Sequence, residues 1–142
     1  MSTITQRDAS NSITADITLY NVPYEKFATS SFKYIDILPG YFQATEWAAK
    51  KSDNGDQTLR FYIVNDHGPG THLIKIKDSG DKSQIHVVYD QGGHLFVSLG
   101  GNLTLTISED KNNTKANFDL MLMQYYTEDV IRIIGNFEFI SG

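Results

Sequence analysis

The stretch NFDLMLMQYY, residues Asn117 to Tyr126, decides how this chain is read. The apolar side chains Phe118, Leu120, Leu122 and Tyr126 share one face at a period of two, which is the spacing of a β-strand and not of a helix face. A strand with one face on a core and the other in water should alternate cleanly between apolar and polar. Here Met121, Met123 and Tyr125 make the second face almost as apolar as the first. Two questions follow: what the strand pairs with, and what meets its second face.

Reading outward, IRIIGNFEFI repeats the period, with Ile131, Ile133, Phe137 and Phe139 on one side. Antiparallel partners share a face, so core residues must oppose core residues. Setting Phe139 opposite Phe118 brings Met123 opposite Ile134 and Tyr125 opposite Arg132. Upstream, LTLTIS points Leu103, Leu105 and Ile107 inward, and LFVSLG does the same with Leu95, Val97 and Leu99. GGN, at Gly100–Asn102, reads as a tight reversal between them. IHVVYD contributes Ile85, Val87 and Tyr89, and THLIKIK contributes Ile74 and Ile76, with DSGDK and DQGGH as turns. The C-terminal six strands thus form a meander with short hairpin loops.

The N-terminal part adds NSITADITLY, with Ile13, Ala15, Ile17 and Leu19 on one face, then SFKYIDIL, GYFQATEWAAKK and TLRFYIV. VPYEKFATS breaks the alternation and suggests a short helical turn, and ATEWAAKK would tolerate helix. About ten short antiparallel strands imply an all-β fold: an antiparallel β-sandwich, with a closed β-barrel as the alternative. One domain over residues 1–142 is expected, with 1–12 as a flexible arm.

The 142 residues, 40% of them hydrophobic, suffice for one core without staples. The chain contains no cysteine, which excludes disulfides and thiolate metal sites. A net charge of -5 argues against nucleic acid and against adsorption to anionic lipid through charge. MSTITQRDASNS carries no apolar signal-like core and no transmembrane segment is apparent, so a cytoplasmic protein is expected, or one released without a cleaved signal peptide.

No catalytic signature emerges. There is no cysteine nucleophile and no G-x-S-x-G elbow, and Glu46 beside Trp47 is a lone acid. The expectation is a protein that is not an enzyme and uses no cofactor or metal. The densest polar cluster is NDHGPGTH, where Asn65, Asp66, His67 and His72 sit on a turn shaped by glycine and proline. Its spacing matches no metal signature, but its amides, carboxylate and imidazoles suit hydrogen bonding to a sugar. Asn54 and His94 stand on two further glycine-bearing loops, and Trp47 is the aromatic candidate for stacking on a sugar face. Ligand binding is therefore assigned to Trp47, Asn54, Asn65, Asp66, His67, His72 and His94.

The order DITLYN, then aromatic strands, then TLRF resembles the fungal fruit-body lectins, carried by Ile17, Thr18 and Leu19 and by Thr58, Leu59, Arg60 and Phe61. The resemblance implies an actinoporin-like β-sandwich. The family's sugar-contacting stretch has no counterpart in this chain, so no site residue carries over. The expected function is non-enzymatic, lectin-like carbohydrate binding, with a glycan or glycoconjugate as partner. The alternatives are a self-assembling structural or inclusion protein and a membrane-active actinoporin-like toxin. The second apolar face, with Met121, Met123, Tyr125 and Ile134, is expected to be a homo-oligomer interface, since Met and Tyr are enriched there; the alternative is a strip covered within the chain by a loop or by the N-terminal arm.

Overall fold

Strict alternation puts every second side chain of most strands on one face, and those faces converge on a single buried cluster. The structure, a computed structural model, describes residues 11–36, 45–52, 55–63, 68–76, 86–110, 112–124 and 126–140. Ten strands follow in order: β1 (Ser12–Leu19), β2 (Val22–Thr29), β3 (Phe32–Asp36), β4 (Thr45–Lys51), β5 (Gln57–Ile63), β6 (Gly70–Ile76), β7 (His86–Gln91), β8 (His94–Ile107), β9 (Asn113–Gln124) and β10 (Val130–Ile140). There is no helix among the described residues. The fold is all-β, as the alternation requires.

Nine strands follow one antiparallel path, β2-β1-β10-β9-β8-β7-β5-β4-β3, and β6 pairs with β8 beside it. This single sheet curls until its ends nearly meet, so the barrel is the architecture that it fits. Inside lie Ile13, Ile17, Phe27, Leu59, Phe61, Leu120 and Ile133, each 1% exposed or less. Phe137 gathers the aromatic part of the core, its ring 5.0 Å from Phe32, 5.3 Å from Phe61 and 5.6 Å from Trp47. Rings at these separations and tilts add to what their buried area contributes.

Several sequence expectations need correction. The segment read as breaking the pattern, VPYEKFATS, is the strand β2. GGN is no reversal: LFVSLG and LTLTIS are one 14-residue strand, β8. The total of ten survives because one strand was overlooked and another was split. The C-terminal six do not form a meander either, because β6 pairs with β8 and β7 pairs with both β5 and β8. A bulge between Ser98 and Gly100 lets β8 serve two partners along one edge, His94–Val97 against β7 and Gly101–Ile107 against β6. The extra residue also shifts the parity, so Phe96 and Ser98 point inward while Leu95 and Val97 do not. Phe96 is held there by Tyr89, whose ring lies 5.8 Å away. Of the expected arm, Asn11 accepts a 2.6 Å bond from the Ile140 amide and Ser12 opens β1; residues 1–10 lie outside the described residues.

Curvature is set where glycine lets backbones approach. Gly101 has φ +120°, and a Cβ there would overlap the Asp119 carbonyl. A Cβ on Gly135 would overlap the Thr14 carbonyl and the Ala15 side chain. Both positions are closed to any larger residue.

The ends of the sheet path, β2 and β3, are consecutive in the chain and joined through Ser30 and Ser31. No ladder links β2 to β4, yet the seam is bonded. The Lys50 amide donates to the Ser31 carbonyl (2.9 Å), and Thr29 Oγ1 donates to the Lys50 carbonyl (2.8 Å). Deeper in, Lys51 Nζ donates to the Lys26 carbonyl (2.5 Å) and lies 3.4 Å from Glu25 Oε1. Gln57 Nε2 donates to Glu25 Oε2 (2.7 Å), and the Tyr89 hydroxyl donates to Gln57 Oε1 (2.7 Å). Lys51, Gln57 and Tyr89 are buried, so this chain of bonds operates in a low dielectric.

Two outcomes test this account. Gly135→Ala should destabilise the fold by about 3 kcal/mol in urea denaturation, because the clash is with backbone. Burial, and then the Glu25 charge, push the Tyr89 phenol well above the ordinary tyrosine value. A raised folded pKa gives stability that is complete below about pH 10 and declines as the pH rises further. The urea midpoint should therefore fall above that pH more steeply in the wild type than in Tyr89→Phe.

Candidate functional site

The outward positions of β8, β9, β10 and β1 form rows across the sheet, since each strand pairs in register with the next. Asn102, Asp119, Ile134 and Asp16 stand side by side in one row. Thr104, Asn117, Asn136 and Thr14 make the row on one side, and Gly100, Met121, Arg132 and Thr18 the row on the other. Amides, hydroxyls and carboxylates dominate this face.

Asp119 and Arg132 are diagonal neighbours and meet side-on. Arg132 Nε donates to Oδ1 (2.9 Å) and Nη2 donates to Oδ2 (2.7 Å). Hydrogen bonding from the guanidinium holds the Asp119 carboxyl below the usual aspartate range. The pair is about half exposed, so it adds little to stability, but its two parallel bonds give it a planar, bidentate geometry. Each oxygen keeps a lone pair for a further donor.

At one end of these rows the β1–β2 turn carries Tyr20 and Asn21, both left-handed, with φ 51° and 64°. Asparagine takes that conformation readily, whereas a bulky tyrosine is uncommon there and costs of order 1 kcal/mol. Tyr20 is held by its hydroxyl, which donates to Asp129 Oδ1 (2.8 Å) in the β9–β10 turn. That bond to an anion raises the phenol pKa. The ring is 68% exposed and lines a groove of about 480 Å³ with Thr18, Asn102, Asp119, Met121 and Arg132. A second groove of about 500 Å³ adjoins it, lined by Thr14, Asp16, Thr104, Asn117, Ile134 and Asn136. Asn102 and Asp119 border both grooves.

Of the sequence-based binding set the structure describes Trp47, His72 and His94, and it does not bring these three together. Trp47 is 6% exposed and packs on Phe137, so it is a core residue unavailable for stacking on a ligand. His72, on β6, donates from Nε2 to the Gly68 carbonyl (2.7 Å). His94, the first residue of β8, accepts at Nδ1 from Gln124 (3.2 Å). β8 separates the two: His94 begins it, while His72 pairs with Leu105 near its other end. Asn54, Asn65, Asp66 and His67 lie outside the described residues, as does Tyr125.

The second face of the opening stretch is also arranged differently. β9 and β10 pair four residues away from the expected register, with Phe118 opposite Gly135 and not Phe139. The shift is even, so the inward faces are unchanged, but Met123 now opposes Val130 and Ile134 opposes Asp119. Met123 joins a half-buried apolar row with Val88, Val97 and Val130. Met121 and Ile134 remain 47% and 45% exposed, with the Asp119–Arg132 pair beside them.

The candidate site thus gathers Tyr20, Asn102, Asn117, Asp119, Arg132 and Asn136, none of which belongs to the sequence-based binding set. Their signal is visible in retrospect: polar residues fill the outward positions of adjacent strands, and a Tyr-Asn pair links two strands once VPYEKFATS is read as one. Among the described residues no group of three or more His, Asp or Glu is placed to hold a metal ion, and no helix is long and apolar enough to cross a membrane. The grooves gather carboxylates (Asp16, Asp119), amides (Asn102, Asn117, Asn136) and hydroxyls (Thr14, Thr18, Thr104, Tyr20), a donor and acceptor set suited to hydrogen bonding a polar ligand.

Carboxyl-detected NMR should find Asp119 titrating below ordinary aspartates, and Arg132→Gln should move that titration upward. An Asp119 pKa that ignores this substitution would refute the assigned cause.

No family model, no curated protein and no solved structure matches this chain.

Proposed function

We propose that this protein is a non-enzymatic carbohydrate-binding module that holds its ligand on the outer face of β8, β9, β10 and β1. One observation carries the reading: a strained, hydrogen-bonded Tyr20 and a rigid Asp119–Arg132 pair line the same groove. A sugar ring presents an apolar C–H face and a rim of hydroxyls that donate and accept. Tyr20 and Met121 supply apolar surface for the first, and Asp119, Arg132 and Asn102 supply fixed polar partners for the second. Backbone strain held at a residue that lines a groove fits pre-organisation for a ligand.

A second reading is favoured by the exposure of Met121 and Ile134: self-association of the chain through this face. Their apolar area would contribute at about 25 cal/mol per Å² on burial. The ion pair beside them makes this face less uniformly apolar than an obligate interface.

A glycan array decides between the readings, run beside sedimentation of the free protein. The expected result is binding to a defined set of glycans, weakened roughly tenfold or more by Tyr20→Ala and by Asp119→Ala, with the variants still folded. A protein silent on the array, and dimeric in a manner abolished by Met121→Lys with Ile134→Lys, would replace the first reading by the second.

A further inference from the structure

We infer that the ligand of this face is a neutral oligosaccharide, bound lengthwise across two contiguous subsites that meet at Asn102 and Asp119. The inference rests on the carbohydrate reading above and extends it to ligand class and length.

Length follows from the way the grooves join. The first reaches Val130 and Tyr20 at one end, and the second reaches Asn136 and Thr14 at the other. Along β10, Val130 to Asn136 spans six residues, roughly 20 Å at the rise of an extended strand. That exceeds one sugar ring. The shared border matters because a single ligand can then accept from Asn102 and donate to Asp119 while reaching into both grooves.

Polarity also changes from one subsite to the other. The Tyr20 groove has apolar surface and the ion pair, so it suits a ring lying flat. The Asn136 groove has Thr14, Thr104, Asn117 and Asn136, with Ile134 on its border, so it suits hydrogen bonding along a chain of hydroxyls. Neutrality follows from charge. Arg132 is the cation among the described lining residues, and it is committed to Asp119. Asp16 borders the second groove, with Lys26 as its cross-strand neighbour on β2. A carboxylated or sulfated sugar would find as lining cation an arginine already paired, with Lys26 standing outside the lining beside Asp16, so the grooves offer an anion no dedicated partner.

The test is calorimetric titration of the whole chain with cello-, manno- and chito-oligosaccharides, each from monosaccharide to hexasaccharide, beside a sialylated and a uronate-containing probe. The expected result is that at least one neutral series gains roughly tenfold in affinity with length and then reaches a plateau, while the anionic probes bind more weakly. Asn117→Ala with Asn136→Ala should flatten that dependence on length, and Tyr20→Ala should weaken every member of the series. Circular dichroism of each variant should remain that of the wild type, since these side chains face outward. Affinity independent of length, or stronger binding of the anionic probes, overturns this inference and leaves the carbohydrate reading standing. Absence of binding to every saccharide overturns both.

Discussion

The bonds that cross the seam between β2 and the strands facing it are the constraint on which the rest of the structure depends. A sheet that curls without closing leaves two edges with unpaired backbone groups, and buried groups of that kind must find partners. Here side chains supply them. Lys51 reaches the Lys26 carbonyl and Glu25, Glu25 reaches Gln57, and Gln57 reaches the Tyr89 hydroxyl. The interaction is strong because water is excluded from it, and demanding for the same reason. Removing one partner would strand a buried charge or amide, typically a loss of about 3 kcal/mol or more.

Closure at that seam is inseparable from curvature on the opposite side of the sheet. β8, β9, β10 and β1 can bend because Gly101 and Gly135 admit backbone contacts that any Cβ would block, and because the bulge after Ser98 turns β8. Inward, the bend wraps the strands around Phe137 and its neighbours. Outward, the same strands carry the rows of amides and carboxylates that border both grooves. Core and candidate site are thus two faces of one set of residues, alternating along each strand.

Within the site, rigidity comes from short polar links between neighbouring elements. Tyr20 is tied to Asp129 across two turns, and Asp119 is tied to Arg132 across two strands. A ring held in place loses less freedom when a ligand stacks on it, and an oriented ion pair needs no rearrangement before it accepts a hydroxyl. On the proposed reading, the unfavourable backbone of Tyr20 is local strain kept where binding would benefit from it.

The sequence by itself determined the secondary structure class, the approximate number of strands and most inward-facing positions. Period-two alternation is a local property, and it survives any even shift of register, which is why Phe118, Leu120, Leu122, Ile131 and Ile133 were legible as core. Local pattern carries no information about which strand lies beside which. It could not show that β6 bonds to β8, that the bulge after Ser98 merges two strands, or that Phe118 faces Gly135. VPYEKFATS hid its strand because Glu25 points inward and finds Lys51 and Gln57, from strands that follow much later in the chain. Trp47 was read as a binding residue for a related reason: burial is decided by what packs above a residue, and only the curled sheet brings Phe137 to Trp47 while leaving Tyr20 on a turn in water.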